Sequence, residues 1–248
     1  MEWTDSGIVL GSRPQGETSL ILSVLTRDHG RAKGLVRGGA RSRQRGLYEP
    51  GNHVAVIWRA RLAEHLGHWS LESLAALTAQ FLDDSVRLAC LSAAVALAES
   101  CLPEHQPYPG LHDGLMRLTQ ALADDDGWAP AHLGFECQLL ADLGYGLDLA
   151  SCAVMGTTEE LAFVSPRTGR AVSRAAAGEY QDRLLVLPRL LGGTGRADSD
   201  ARGDLMDGLR LTGHFLDRNL FQPHAQTLPA ARSRYVERLE RLLASDQG

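Results

Sequence analysis

Short apolar runs bounded by turn residues, one of them alternating with polar positions, predict β structure over residues 6–80. One predicted strand is Gly7–Arg13, closed by the turn residues 14–16, and the next is Ser19–Thr26, which is rich in branched side chains. Gly30 then supplies the positive φ that a hairpin requires. Further strands are predicted at Arg31–Arg37, at Asn52–Trp58 and, more weakly, at His65–Leu74. Five short strands without a long helix favour a small closed barrel, because closure removes exposed strand edges.

From Phe81 onward the apolar positions follow a helical period instead. The predicted helices are 82–101, 111–122, a third with Pro130 in its first turn and Gly144 as its C′ residue, 205–220 and 232–243. Residues 163–172 predict a hairpin inserted among these helices, and 192–198 predict a flexible loop. The expected fold class is therefore α+β, with a five-stranded barrel domain at 1–80 followed by a mainly helical domain at 81–248.

Length and composition place the chain among folded proteins. The 248 residues are 44% hydrophobic and 22% charged, which excludes a disordered tail, a collagen-like fibre and a coiled-coil rod. The first residues are acidic where a signal peptide is basic, and the longest uncharged apolar run, Leu88–Ala98, is too short to span a bilayer. We therefore expect a cytoplasmic protein without a membrane partner. Its four cysteines have no paired spacing, which predicts free and mostly buried thiols.

Charge is unevenly distributed along the chain. The net charge of −5 argues against a nucleic-acid partner, but residues 1–80 alone carry ten bases against seven acids. Between residues 27 and 45 there are seven bases and one acid, interrupted by several glycines. Because arginine matches phosphate oxygens and glycine lets a backbone approach a nucleic-acid strand, this stretch predicts phosphate binding. The candidate DNA-binding residues are Arg13, Arg31, Lys33, Arg37, Arg41, Arg43 and Arg45.

Small barrels of this kind bind oligonucleotides across one face, using aromatic platforms and a basic groove. The candidate platforms are Trp3, Tyr48, Trp58 and Trp69. A domain of this size needs most of its aromatic residues for packing. We expect Trp58, which lies in an apolar strand, to be buried and Tyr48, which lies in a loop, to be more exposed.

Signals for an enzyme are weak. Gly192–Gly195 lacks the Gly-Lys-Ser/Thr ending of a phosphate-binding loop, so a linker is the better interpretation, although nucleotide binding there remains an alternative. His65 and His68 have no second pair of ligands nearby in the sequence, which favours two exposed histidines over a metal site. No catalytic residue and no cofactor are predicted.

Several segments of the sequence resemble the RecO family of bacterial DNA repair proteins. They occur in the family's order over most of the chain, and the resemblance weakens after about Gly195. The segments that carry it are Gly7–Leu10, Ser12–Pro14, Gly16–Leu20, Thr26–Arg41, Leu47–Pro50 and Phe135–Val154.

This resemblance implies a barrel of the oligonucleotide-binding (OB) fold, a helical domain and a small treble-hairpin segment, at about residues 150–190, that binds zinc in some members. It also implies binding of single- and double-stranded DNA, annealing of complementary strands, and contacts with RecR and the acidic tail of single-stranded-DNA-binding protein. Through these contacts such a protein helps load the RecA recombinase onto DNA, at the nucleoid. The runner-up interpretation is an RNA-binding or translation-associated OB-fold protein. The basic, glycine-rich loop at residues 38–46 alone supports it equally well.

The sequence departs from the family pattern at two places. Cys152 matches the first zinc-ligand position, but Met155 stands at the second, and Ser165 and Ser173 are among the polar residues near the missing later pair. Since one thiolate cannot complete a four-ligand shell, we predict no zinc. In the helical domain, Gly134 replaces an arginine that precedes Phe-Glu in many relatives.

The second departure affects the expected pocket for the partner's acidic tail. Such a tail needs a cation beside an apolar slot. With Gly134 in place of arginine, Arg117 or another arginine on a neighbouring helix must supply the charge, and Phe135 the apolar wall.

Overall fold

The computed structural model describes residues 1–41, 45–62, 65–124 and 127–245. The described chain forms two compact units. The first contains Met1–Asp126 together with Pro229–Arg238, and the second contains Gly127–Leu228 together with Leu239–Gly248. Among the described residues, no helix combines the length and the apolar character that crossing a bilayer requires.

The first unit begins with a closed barrel of five strands, in the spatial order β1-β2-β3-β5-β4. All neighbouring strands are antiparallel except β3 and β5, which are parallel. This architecture confirms the predicted barrel. The strands are β1 (Glu2–Gln15), β2 (Ser19–Thr26), β3 (Gly30–Val36), β4 (His53–Arg59) and β5 (Gly67–Ala75).

The strand limits follow the predicted ones closely, apart from β1. This strand starts at Glu2, five residues before the predicted start, because its first half pairs with β4 and its second half with β2. The β2–β3 hairpin depends on Gly30, whose φ is +68°. A Cβ atom at Gly30 would also lie 2.0 Å from the carbonyl oxygen of Gln106, so both the conformation and the space require glycine.

The interior of the barrel is filled by aromatic and branched side chains from all five strands. Trp58 is 1% exposed, as predicted, and its indole N–H donates to the carbonyl of Lys33 at 3.0 Å. The prediction for Tyr48 was wrong, because this residue is 7% exposed and belongs to the same core. It ends the 3₁₀ turn Arg45–Tyr48, which contacts β1, so the loop directs its last side chain into the barrel.

Three helices follow the barrel within the first unit: α1 (Leu77–Gln80), α2 (Ser85–Cys101) and α3 (Pro109–Asp124). Asp84 caps α2 by accepting hydrogen bonds from the backbone N–H groups of Val86 and Arg87. Helix α2 packs against β1, and Gly51 lies so close to Leu91 that a Cβ there would come within 2.6 Å of a leucine methyl. The barrel and α2 therefore share a packed interface.

The second unit combines helices with a three-stranded sheet of order β7-β6-β8. Strands β6 and β7 are antiparallel, which confirms the hairpin predicted over 163–172. Gly144 follows the first helix of this unit with a φ of +85°, as its predicted C′ role requires. Its elements are α4 (Trp128–Asp142), β6 (Leu161–Val164), β7 (Ala171–Ser173), α5 (Arg174–Ala177), β8 (Leu185–Val186) and α6 (Ala201–Leu216). The last helix, α7 (Ala230–Ser245), contributes residues to both units.

Candidate nucleic-acid interface

An open groove lies on the outer surface of the barrel, where β3, β5 and β4 are neighbours. In the strand register Leu35 is opposite His68, and His68 is opposite Arg59. Residues that face each other across neighbouring strands point to the same side of a sheet, so these three form one row on the outer face. The groove is lined by Leu35, Val36, Arg37, Arg59, His68 and Trp69.

The polar side chains of this groove are two arginines and one histidine. Arg37 directly follows β3, is exposed, and places its Nη2 atom 3.3 Å from Nε2 of His68. Arg59 is 53% exposed and forms a two-pronged ion pair with Glu2, with both N···O distances at 2.9 Å. The apolar floor of Leu35, Val36 and Trp69 between these groups suits a nucleic-acid backbone lying along the groove, with its phosphates at the two guanidinium groups.

The basic loop, residues 38–46, directly follows Arg37 in the chain, and its described parts are 38–41 and 45–46. Gly38 adopts a φ of +72°, and the N–H of Ala40 donates to the carbonyl of Thr18, which holds the start of the loop against the β1–β2 turn. Arg41 ends the 3₁₀ turn Gly39–Arg41, and Arg45 begins the next turn with an exposed side chain. The predicted DNA contact Arg43 lies outside the described residues.

Arg31, one of the predicted DNA contacts, points away from the groove and toward α2. Its side chain is only 10% exposed, donates to the carbonyl of Leu102 at 2.7 Å and pairs with Glu99 and Glu104 at 3.5 and 3.6 Å. Because the guanidinium is enclosed by these acceptors, Arg31 neutralises acids within the first unit and is not placed to meet a phosphate.

Lys33 is also occupied by a carboxylate. Its Nζ atom lies 2.8 Å from Glu104, and the side chain is 31% exposed. Burial raises the pKa of Glu104, but the hydrogen bond and charge of Lys33, with the charge of Arg31, outweigh that effect and hold the pKa below its ordinary value. On the same side of the barrel, Arg13 is exposed and lines a small recess with Lys33 and Glu99.

The candidate stacking platforms are all engaged in packing. The ring of Trp3 is stacked against His29, at a centroid distance of 4.0 Å, and against Trp58, at 5.5 Å, and it is partly buried against the barrel core. Trp69 is 6% exposed and donates its indole N–H to Leu22. Trp69 therefore contributes an edge of the groove floor, and His68 is the exposed ring beside it.

The residues predicted for the partner-tail pocket lie in different units. Arg117 is exposed on α3 of the first unit. Phe135, on α4 of the second unit, is 2% exposed, so its ring belongs to the core in this structure. Gly134, beside it, is exposed and has nothing within 4 Å of the position that a Cβ would take. The assignment of Arg117 and Phe135 to a tail pocket stays a prediction.

A buried polar network in the second unit was not predicted from the sequence. His132 and Glu136, one helical turn apart on α4, are both fully buried, and His132 Nε2 lies 3.1 Å from a Glu136 oxygen. The second Glu136 oxygen accepts a hydrogen bond from Thr212 on α6. The i,i+4 spacing of the first pair is visible in the sequence, but only the packing of α4 on α6 supplies the hydroxyl.

The environment of Cys152 does not suit a structural zinc ion. Its sulfur accepts hydrogen bonds from the backbone N–H and hydroxyl of Ser173, at 3.3 and 3.4 Å, and from the N–H of Met155 at 3.5 Å. Burial raises the pKa of this thiol, but the hydrogen bonds outweigh it and lower the pKa to about 7. A structural zinc ion needs three further thiolates or imidazoles beside this sulfur, and no group of three or more metal-ligating side chains includes Cys152 among the described residues. Elemental analysis of the purified protein tests the prediction that it binds no zinc.

The other candidate sites for small ligands lack the required arrangement. His65 and His68 are exposed, and no group of three or more metal-ligating side chains occurs in the described part of the chain. The segment Gly192–Gly195 is tied down rather than free as a linker would be: its four backbone N–H groups donate to Arg189, Pro188, Leu161 and Leu187. A phosphate-binding loop needs such N–H groups directed at the ligand, so this segment does not fit a nucleotide.

Together, the five-stranded barrel, its cationic groove and the helical second unit define an OB-barrel protein with the features of a nucleic-acid-binding class. Comparison with known proteins gives the family. The model for the N-terminal domain of recombination protein O matches residues 1–75, and the model for its C-terminal domain matches residues 82–227. The chain belongs to the RecO family.

Individual relatives are similar over the full length of the chain. DNA repair protein RecO of Rhodospirillum centenum is 50% identical over 240 residues, which cover 96% of this chain and 94% of the relative. The RecO protein of Rhodospirillum rubrum is 47% identical and covers both chains completely. That of Dinoroseobacter shibae is 44% identical over 97% of this chain and 99% of its own length.

Proposed function

We propose that this chain acts in DNA repair and recombination as a non-enzymatic protein that binds DNA and anneals complementary strands. The observation that carries the proposal is the groove on the barrel of a RecO-family chain, where the exposed guanidinium groups of Arg37 and Arg59 lie beside His68. The relatives are named as DNA repair proteins, and their names mention no catalytic activity. This family membership favours DNA over the alternative of an RNA-binding protein acting in translation.

Annealing requires that two polyanionic strands approach each other. Exposed guanidinium groups neutralise phosphates and release condensed counterions, which lowers the repulsion between the strands. Contacts of this kind carry no information about base sequence, so we expect the protein to accept strands of any sequence. Binding should weaken steeply as the salt concentration rises.

The proposed contact set differs from the one that the sequence suggested by two residues removed and two residues added. Arg31 and Lys33 are assigned to the ion pairs with Glu99 and Glu104 rather than to DNA. Arg59 and His68, which share the outer row of the barrel with Leu35, are added. The proposed contacts at the groove and the basic loop are Arg37, Arg41, Arg43, Arg45, Arg59 and His68, and Arg13 is a separate exposed contact on the side of the barrel that carries Lys33.

The partner interactions of the proposal rest on the family resemblance. They are RecR and the acidic tail of single-stranded-DNA-binding protein, through which the chain would help load RecA at the nucleoid. A pull-down with the tail peptide and with RecR tests this part. Retention of neither would remove the loading role and leave DNA binding and annealing to be judged separately.

The direct test of the function is an annealing assay with complementary single strands, followed by fluorescence, together with binding to DNA and RNA strands of the same sequence. We expect the protein to accelerate annealing relative to buffer alone, with no ATP present. We also expect it to bind DNA more tightly than RNA. Equal or better binding to RNA without acceleration of DNA annealing would contradict the proposal.

A further inference from the structure

The ion pair between Glu2 and Arg59 occupies the place in the groove where a phosphate is expected. Each oxygen of the carboxylate lies 2.9 Å from one guanidinium nitrogen, in the two-pronged geometry that arginine also uses for phosphate. Glu2 and Arg59 are opposite each other in the β1–β4 register, and the N–H of Ala60 donates to the carbonyl of Met1 at 3.1 Å just beyond them. The backbone therefore holds the acid beside the base.

Exposure distinguishes this pair from the ion pairs that Arg31 makes on the α2 side of the barrel. Arg31 is 10% exposed, so separating it from its carboxylate partners would leave a buried charge without a partner. Glu2 and Arg59 are 54% and 53% exposed, and both charges are solvated when the pair opens. Because exposed ion pairs contribute little to stability, an incoming phosphate can replace the carboxylate at small cost.

We propose that Glu2 is an internal competitor for phosphate: in the free protein it occupies the Arg59 guanidinium, and a backbone phosphate of bound DNA displaces it. This inference rests on the proposed function, since it assumes that DNA binds in the groove. A glutamate with the ordinary pKa of 4.5 is ionised at neutral pH, and the hydrogen bond to Arg59 lowers the pKa of Glu2 further. Glu2 thereby limits the affinity of the groove and keeps it from holding DNA too tightly.

Displacement has a consequence for salt dependence. When a phosphate replaces Glu2, the DNA releases a counterion but the freed carboxylate attracts one, so the Arg59 contact adds little to the salt slope. Replacing Glu2 by glutamine removes the competitor and keeps the side-chain shape. We expect the Glu2→Gln variant to bind single-stranded DNA roughly two- to fivefold tighter at moderate salt. The slope of log affinity against log salt should become steeper by roughly one.

The matched control is Asp148→Asn in the second unit. Asp148 pairs with Arg170 at 3.1 Å, and the two side chains are 51% and 46% exposed, so this variant removes one equally exposed, paired carboxylate and changes the net charge by the same amount. A second control is Glu2→Gln in an Arg59→Ala background, where no guanidinium remains to be released. Thermal unfolding of each variant verifies that it is folded.

The proposal predicts that Glu2→Gln exceeds Asp148→Asn in both affinity and slope, and that its effect disappears in the Arg59→Ala background. If Glu2→Gln and Asp148→Asn behave alike while the wild type binds DNA, the competitor role is overturned and the proposed function stands. If Glu2→Gln keeps its effect without Arg59, the competition is not at this guanidinium. If the wild type neither binds nor anneals DNA, the proposed function itself fails.

Discussion

The two sides of the barrel use the same kind of residue for different purposes. Toward α2, Arg31 and Lys33 are paired with Glu99 and Glu104, and their charges are cancelled within the first unit. Around the groove, Arg37 and Arg59 are exposed, and Arg59 has a carboxylate partner that is itself exposed. Arg31 is the second residue of β3, and Arg37 directly follows that strand, only six residues further along the chain. A count of bases along the sequence therefore overstates the charge that a nucleic acid meets.

The largest expected difference between the two sides is in folding stability. Replacing Arg31 by alanine removes the hydrogen bond to Leu102 and leaves Glu99 and Glu104 without their shared, mostly buried cation. We expect the free energy of unfolding, measured by urea titration, to fall by about 2 kcal/mol. Arg37→Ala, at the other end of β3, is the control, and should change it by less than about 0.5 kcal/mol. Equal effects for the two variants would mean that the sides do not differ.

A smaller effect concerns how folding stability depends on pH at Glu104, on the side of the barrel that faces α2. Because the pKa of Glu104 is lowered from its ordinary 4.5 in the folded state, the unfolded chain binds the proton more readily. The carboxylate thus adds stability above the unfolded pKa, and that contribution is lost as the pH falls through the folded pKa. Glu104→Gln should lower the free energy of unfolding by about 0.5 kcal/mol at neutral pH and by nearly nothing at roughly pH 3.

The control for this prediction is Glu72→Gln on the exposed face of β5. Urea titrations of both variants and the wild type at the two pH values make the comparison. If Glu104→Gln lowers the free energy of unfolding by the same amount in acid as at neutral pH, the pairing of Glu104 with Lys33 does not stabilise the fold through charge.

Much of the fold was predictable because its signals are local. The run of branched residues located β2 without error, and the turn chemistry of Gly30 located the hairpin that follows. Tyr48 was misjudged because a loop with basic and glycine residues indicates exposure on average. The direction of its last side chain depends on how the 3₁₀ turn meets β1, which no local pattern encodes.

The site was predictable only in part, because its electrostatics depend on distant residues. Arg31 is 68 positions from Glu99 in the sequence, and no residue near Arg31 indicates that it will pair with that acid. Arg59 and His68 were missed although one signal was present. Arg59 lies one position after the buried Trp58, and His68 one before the buried Trp69, so alternation places both on the outer face.

The salt dependence of DNA binding tests the central claim most directly. The Arg37→Ala/Arg45→Ala variant removes two exposed bases at the groove and its adjoining loop, whereas Arg167→Ala/Arg183→Ala removes two exposed bases from the second unit. We predict that the slope of log affinity against log salt for single-stranded DNA becomes shallower by roughly two in the first variant and is unchanged in the second. The same slope in the wild type and in the Arg37→Ala/Arg45→Ala variant would contradict a DNA-binding groove on the barrel.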